Sequence, residues 1–350
     1  MLSPIATRMR QSGMHEENHA VRCHVMSARD SIVVILRAFD AVRTMTAKEF
    51  IKLLIKHTIQ WVPGSRCALY FLPTTRTLNV QHSPAWVGRI VRGVFSFLAR
   101  YASWNTPIER FVTYRVNKNS FSMSLDIGEY TQCGYYFSAP NPELSSLLLR
   151  GGHLFIDVGT NVGFFTILAS PCFERVIAFE PTPSTYKRLK GNVALNALSN
   201  VEMHPYALSD KTGEAVLYEN PLNRGGNSLE VFSNDYIIAS RKTGWISYDI
   251  ATTTLDEFVK VRRLDQIDFI KLDVERHEEK VLIGAMDSLN RFFPMLFVEV
   301  DSITRYKRLK HLLPCEYRGW DPINRCEIDE SHRVWNRFDV LFSTANPWRS

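Results

Sequence analysis

The sequence predicts an α/β fold, a mostly parallel sheet covered by helices on both faces. Three observations point to it. From Gly151 onward, short apolar strand-like runs alternate with helix-length amphipathic segments, the pattern of a sheet buried on both sides. Within that region the stretch FIDVGTNVGF (155–164) reads as a buried strand, a tight glycine turn and the start of a helix. The next strand then closes on an acid, Glu180, 17 residues after Gly163.

The elements follow in order. Residues 1–30 are polar and aperiodic and are expected to form a loose leader. Residues 31–140 are expected to form a helical and β-hairpin extension, and 141–350 the main domain. In the extension, Ile32, Ile35, Leu36, Phe39 and Val42 share a helical face, and a second apolar helix is expected over 47–59. Over 86–101, Val87, Ile90, Val91, Val94, Phe95 and Leu98 form a helical stripe with Arg89, Arg92 and Arg100 elsewhere on the surface. Such a helix packs on its own protein; the alternative is peripheral contact with an anionic membrane. Period-two alternation at Val112, Tyr114 and Val116, then at Phe121, Met123 and Leu125 across NKNS, predicts a hairpin. Strands are then expected over 154–158, 175–179, 201–206, 269–274 and 295–300. Helices are expected over 163–169, 184–196, 255–261, 278–291 and 303–312. An insertion of short strands spans 213–252, a turn lies at 320–324 and a last strand at 334–343.

Composition narrows the function. No apolar run approaches the roughly 18 residues of a membrane span, and the first residues lack the apolar core of a secretory signal. Six scattered cysteines show neither zinc spacing nor a disulfide framework, so reduced thiols and a cytoplasmic location are expected. Residues 1–150 hold 18 Lys and Arg against 9 Asp and Glu, whereas 151–350 hold 24 against 27. A basic excess confined to the first part suggests two regions of different role.

The glycine turn carries the chemistry. Gly159 and Gly163 let the backbone bend and approach a ligand without a Cβ clash, and a carboxylate at Glu180 can accept both ribose hydroxyls of an adenosine. A dinucleotide pyrophosphate needs a helix N-terminus free of nearby negative charge. Asp157 stands close to that position and instead favours a ligand bearing an ammonium and a sulfonium, which describes S-adenosylmethionine. Asn161 tolerates positive φ better than other non-glycine residues and can hydrogen-bond the amino-acid end of that ligand.

These residues resemble the FkbM family of S-adenosylmethionine-dependent methyltransferases. The matching stretches are FIDVGTNVGFFTILAS (155–170), VIAFEPTPSTYKRLKGNVALNAL (176–198), ALSDKTGEAVLY (207–218), GGNSL (225–229), TTTLDEF (252–258), DFIKLDVERHEEKVLIGA (268–285) and FVEV (297–300). The resemblance covers about 141 to the end. It implies a class I, Rossmann-like sheet of seven strands and O-methyl transfer, often to a sugar of a glycan, glycolipid or macrolide. It also implies that Asp157, Gly159, Thr160, Asn161 and Gly163 line the methionine end of the cofactor. Glu180 with Pro181 would hold the ribose, and the Ala207–Asp210 stretch, including Leu208 and Ser209, would lie by the adenine. The family usually has glycine after D-V-E; here Arg276 stands there.

A sugar hydroxyl is a poor nucleophile, so a base beside it is expected. Asp273, Glu275 and His277 end the strand that faces the ligand crevice and are the candidates. Arg224, Asn227 and Ser228 in PLNRGGNSL, together with Arg276, are candidate acceptor contacts. Two acids one residue apart are too common to count as a metal signature, so no metal is expected. The acceptor is expected to be a saccharide or small molecule rather than nucleic acid, because VERH offers no platform for a flipped base. The alternatives are an NAD-dependent oxidoreductase and a non-catalytic membrane-associated adaptor with a vestigial cofactor site.

Overall fold

A computed structural model describes residues 75–79, 108–219, 224–229, 246–329 and 338–349, all within one compact unit, 55–350. The expected leader, the helices of 31–59 and the basic stripe of 86–101 lie outside the described residues. So do Cys23, Cys67, residues 221–223 of the polar loop and the first residues of the last expected strand.

The chain opens with strands β1 (Thr75–Asn79), β2 (Glu109–Val116) and β3 (Asn119–Asp126). β2 and β3 form the expected hairpin, with Val112, Tyr114, Met123 and Leu125 fully buried. Its turn uses Asn117 at φ 53°, a left-handed conformation that asparagine adopts more readily than most residues. Helices α1 (Tyr130–Phe137) and α2 (Pro142–Leu148) follow. Glu129 caps α1 by accepting from the Thr131 and Gln132 N–H groups, which would otherwise be orphaned at the helix start.

Then comes the alternating part: β4 (Gly152–Val158), α3 (Phe164–Ala169), β5 (Phe173–Phe179), α4 (Pro183–Leu195), β6 (Val201–His204), β7 (Ala207–Leu208), β8 (Gly213–Glu219), β9 (Ile246–Thr253), α5 (Leu255–Arg262), β10 (Phe269–Leu272), α6 (Glu278–Ile283), α7 (Met286–Phe292), β11 (Met295–Val300), α8 (Ile303–Leu312), β12 (Arg318–Asp321), β13 (Cys326–Glu327) and β14 (Phe338–Ser343). The main sheet runs β13-β12-β14-β11-β10-β4-β5-β6. Its β11-β10-β4-β5-β6 part is parallel, and β14, β12 and β13 are antiparallel additions. β7, β8 and β9 form the small sheet of the insertion.

Alternation along each strand splits the core in two. Leu154, Ile156 and Val158 of β4 pack with β5, β10, β11 and the α5–α8 side. Phe155 faces the other way, against Phe173 and Phe269. Further along that face, Phe164 of α3 meets Tyr114 and Phe121 of the hairpin. The hairpin is also bonded to α4: Ser122 N–H donates to Asn196 and Ser124 N–H to Asn192, both at 2.8 Å.

Two expectations are corrected. The sheet has eight strands rather than seven, because the turn at 321–325 closes a further short hairpin. There the Asp321 carboxylate accepts from the Ile323 and Asn324 N–H groups. The single helix expected over 278–291 is two, broken at Gly284. The Gly284 carbonyl accepts from Asp256 N–H, while Ser288 N–H, its normal helical partner, turns to the Asp256 carboxylate at 2.8 Å. A Cβ at Gly284 would lie 2.0 Å from the Ser209 carbonyl oxygen, so the break lets two backbones touch. None of the described helices is long and apolar enough to cross a membrane.

Candidate active site

The carboxyl ends of β4, β5, β10 and β11 open onto one crevice of about 380 Å³. At the end of β4, Gly159 has φ +76°, and a Cβ there would sit 1.9 Å from the Asp273 carbonyl oxygen. Only glycine lets β4 and β10 approach so closely at this point. Asn161 follows at φ 54° and Gly163 at +95°. The Asn161 N–H donates to Glu180 Oε2 and the Thr182 N–H to Glu180 Oε1, both at 2.9 Å. The Glu180 carboxylate is therefore fixed at the end of β5. Burial pushes its pKa up, and the hydrogen bonds from Thr182 and Asn161 and the charge of Lys271 oppose that rise.

Asp157 is placed differently from the expectation. It is fully buried on the α3 side of β4, where Oδ2 accepts from Thr166 at 2.7 Å and Oδ1 lies 3.3 Å from Lys271 Nζ. Its charge is matched by Lys271 beneath the turn, so its carboxylate does not itself line the crevice. Lys271 also donates to the Gly159 carbonyl at 3.1 Å and lies 3.5 Å from Asp273 Oδ2. Burial opposes a lysine charge, but Asp157 and Asp273 more than offset it and hold the ammonium above its ordinary range. Asn161 carries the clearest mark of a ligand site. Its Oδ1 is buried with no hydrogen-bond partner among the described residues, and an unmet buried acceptor is costly.

The opposite wall is acidic. The carboxylates of Asp273, Glu275 and Glu299 lie within 4.8 Å of one another. That spacing would admit a cation, but nothing else about the group points to one, and we read it as a wall of the crevice. Glu275 and Arg276 take φ of 48° and 77° in succession. Ser228 Oγ holds this strained turn by donating to the Glu275 carbonyl at 2.7 Å, and Arg305 holds it by donating to the Arg276 carbonyl. The Arg276 side chain is not among the residues lining the crevice; it is half exposed and 3.2 Å from Asp301. His277 lines the crevice and is buried; its Nε2 lies 2.9 Å from Ser209 Oγ.

Of the other expected residues, Thr160, Pro181, Ala207, Leu208, Arg224, Asn227 and Ser228 all line the crevice. Ser209 lies behind it, against His277. Arg224 is engaged with protein: its Nε is 2.6 Å from Glu219, and its backbone N–H donates to Glu129 at 2.9 Å. Asn227 donates to Thr182 Oγ1 at 3.0 Å. These residues shape the crevice wall, with Gly225 packed so tightly on α1 that a Cβ would lie 2.2 Å from Thr131 Oγ1.

Sequence reasoning missed Tyr130, Thr131 and Tyr135 of α1, as well as Lys271 and Glu299. The tyrosines sit in a region with no motif, and only folding brings α1 over the turn. Lys271 and Glu299 lie within the strand stretches FIKLD (269–273) and FVEV (297–300). A lysine inside an otherwise apolar strand was the available signal, since a buried lysine needs a charged partner.

Residues 157–318 match the family model of the methyltransferase FkbM domain. The hexuronic acid methyltransferase AglP of Haloferax volcanii is 31% identical over 133 residues, covering 38% of this chain and 50% of AglP. Methyltransferase sdnD of Sordaria araneosa is 30% identical over 160 residues, covering 39% of this chain and 62% of that protein. The 31-O-demethyl-FK506 methyltransferase FkbM of Streptomyces tacrolimicus is 25% identical over 165 residues, covering 40% of this chain and 62% of its own. The chain thus spans half to three-fifths of the length of these relatives. Over 157–318, a little under half of its length, the chain is thus similar to FkbM methyltransferases.

Proposed function

We propose that the protein transfers a methyl group from S-adenosylmethionine to a hydroxyl of a saccharide or related small molecule. The observation that carries this reading is that one crevice joins the glycine turn and Glu180 on one side to Asp273, Glu275 and His277 on the other. The residues fit the donor. The Asn161 and Thr182 N–H groups hold the Glu180 carboxylate at the crevice, where it suits a ribose hydroxyl. The unmet Asn161 Oδ1 suits a donor such as an ammonium.

Among the described residues, four carboxylates line the crevice, those of Glu180, Asp273, Glu275 and Glu299, against two long cations, Lys271 and Arg224. That balance favours a cationic ligand over a pyrophosphate, so the preference first read from Asp157 is supplied by other acids. When bound, the sulfonium supplies a methyl group that is already activated. The chain's own residues hold the acceptor in line, shield it beneath the α1 tyrosines and the 224–229 loop, and take its proton. The relatives' names support the acceptor class: one is named for a hexuronic acid and another for 31-O-demethyl-FK506.

Calorimetric titration of the full-length protein tests the donor. S-adenosylmethionine is expected to bind, and Glu180→Gln to weaken it roughly 10- to 100-fold through loss of a charged acceptor. Binding of NAD with none of S-adenosylmethionine would reject the reading. Transfer of labelled methyl to neutral sugars, glycans and small hydroxylated metabolites then tests the acceptor.

A further inference from the structure

We infer that residues 224–229 form a strap that couples the donor and acceptor ends of the crevice, with Thr182, Asn227 and Ser228 as its positioning residues. The inference rests on the methyl-transfer reading above and adds that a bound donor sets the acceptor wall. In that reading Glu180, at the end of β5, belongs to the donor, and Glu275, just past β10, belongs to the acceptor wall. Two adjacent residues of the strap reach toward both. Asn227 Nδ2 donates to Thr182 Oγ1 at 3.0 Å. Thr182 in turn holds Glu180: its N–H donates to Oε1 at 2.9 Å, and its hydroxyl bonds the same carboxylate. Ser228 Oγ donates the other way, to the Glu275 carbonyl at 2.7 Å. A hydrogen-bonded path thus runs from Glu180 through Thr182, Asn227 and Ser228 to the Glu275 turn.

Such a path carries coupling only if its middle is stiff and its far end can respond. Thr182 and Ser228 are each 1% exposed. The Ser228 backbone is bonded to Tyr218 of β8 in both directions, at 3.0 and 3.2 Å. The start of the strap is fixed as well: the Arg224 N–H donates to Glu129 ahead of α1, and Gly225 leaves no space against Thr131. The far end is a strained turn. Glu275 and Arg276 take left-handed φ in succession, a conformation that persists only where its neighbours fix it. The Ser228 and Arg305 bonds to its two carbonyls do so. With Glu180 engaged by a ribose, the Glu180–Thr182–Asn227 chain is held in one arrangement, and Ser228 passes that constraint to the turn carrying Glu275. Coupling of this kind is reciprocal, so an acceptor held at the turn raises donor affinity by the same factor.

Hydrogen–deuterium exchange of the full-length protein, with and without saturating S-adenosylmethionine, tests this without need of an acceptor. In the wild type the donor is expected to slow exchange at the glycine turn, 159–163, and also, by roughly 5-fold or more, at 275–278. Asn227→Ala and Ser228→Ala are each expected to keep the protection at 159–163, which reports that the variant folds and binds, and to lose most of that at 275–278. Thr182→Val is expected to lose it too, while Thr182→Ser, which keeps the hydroxyl, retains it. Protection at 159–163 with none at 275–278 in the wild type overturns the inference. So does protection at 275–278 that survives both Asn227→Ala and Ser228→Ala, since the donor would then reach the turn without the strap. Absence of any protection at 159–163, with no heat of binding, would instead reject the donor reading itself, and the coupling with it.

Discussion

Lys271 is the residue on which the centre of the sheet depends electrostatically. Its ammonium answers the fully buried Asp157 and also braces the Gly159 carbonyl. Removing one partner of a buried pair leaves an uncompensated charge, which typically costs about 3–5 kcal/mol. Lys271→Met is therefore expected to lower the urea midpoint severely, and the double variant with Asp157→Asn to recover most of the loss. Equal losses in the single and double variants would show that the pair is not the cause. Arg276 tests the opposite case. Its left-handed backbone costs about 1 kcal/mol, and its exposed pair with Asp301 contributes less than about 1 kcal/mol. Arg276→Gly is thus expected to change stability by no more than about 1 kcal/mol. Methyl transfer is expected to be unchanged, because the side chain lies outside the crevice. A tenfold change in acceptor KM would show contact with substrate after all.

At the scale of elements, the crevice is closed by backbone packed on backbone and on side chains. Gly225 in the 224–229 loop meets Thr131 of α1 with no room for a methyl group. Gly225→Ala is expected to push the loop from α1 and raise the acceptor KM, at a stability cost of about 1–3 kcal/mol. Thr131→Ala in the same protein removes the nearest atom and is expected to restore part of both. If acceptor KM stays fixed in both variants, the loop does not border the acceptor. The strands and helices around this site were readable because their periods are strong: the strand at 295–300 and the helix at 303–312 match the sequence expectation end to end. The glycine turn and Glu180 were readable because their geometry is local, a strand end and the residues just after it. The α6–α7 break was not, since Gly284 is needed only against Ser209, 75 positions earlier. The α1 tyrosines and the Ser209–His277 contact were hidden for the same reason, being products of tertiary packing. Asp157 was misdirected because its partner, Lys271, comes from a neighbouring strand.

For the molecule as a whole, the antiparallel β14 joins the outer strands to the parallel sheet and brings a carboxylate near the acidic wall. Asp339 of β14 stands directly opposite Glu299 of β11, an unfavourable like-charge pairing. Its Oδ2 accepts from Asn141 Nδ2 at 2.7 Å, which ties the start of α2 to β14. Burial pushes the Asp339 carboxyl up to about 7; the Asp273 and Glu143 carboxylates add to the rise, and the Asn141 bond and Lys271 oppose it. An acid whose folded pKa is raised binds its proton more tightly when native. Its contribution is therefore most favourable where both states are protonated, below about pH 4, the ordinary aspartate range. That contribution falls as pH rises to about 7 and levels off above it. The gap corresponds to a cost of about 2–4 kcal/mol at pH 8. Asparagine resembles the protonated acid in shape and carries no charge at any pH. Asp339→Asn is accordingly expected to raise the urea midpoint clearly at pH 8, less at pH 6 and hardly at pH 4. A gain of equal size at all three values would mean that the substitution acts through packing and that the Asp339 proton is not linked to folding.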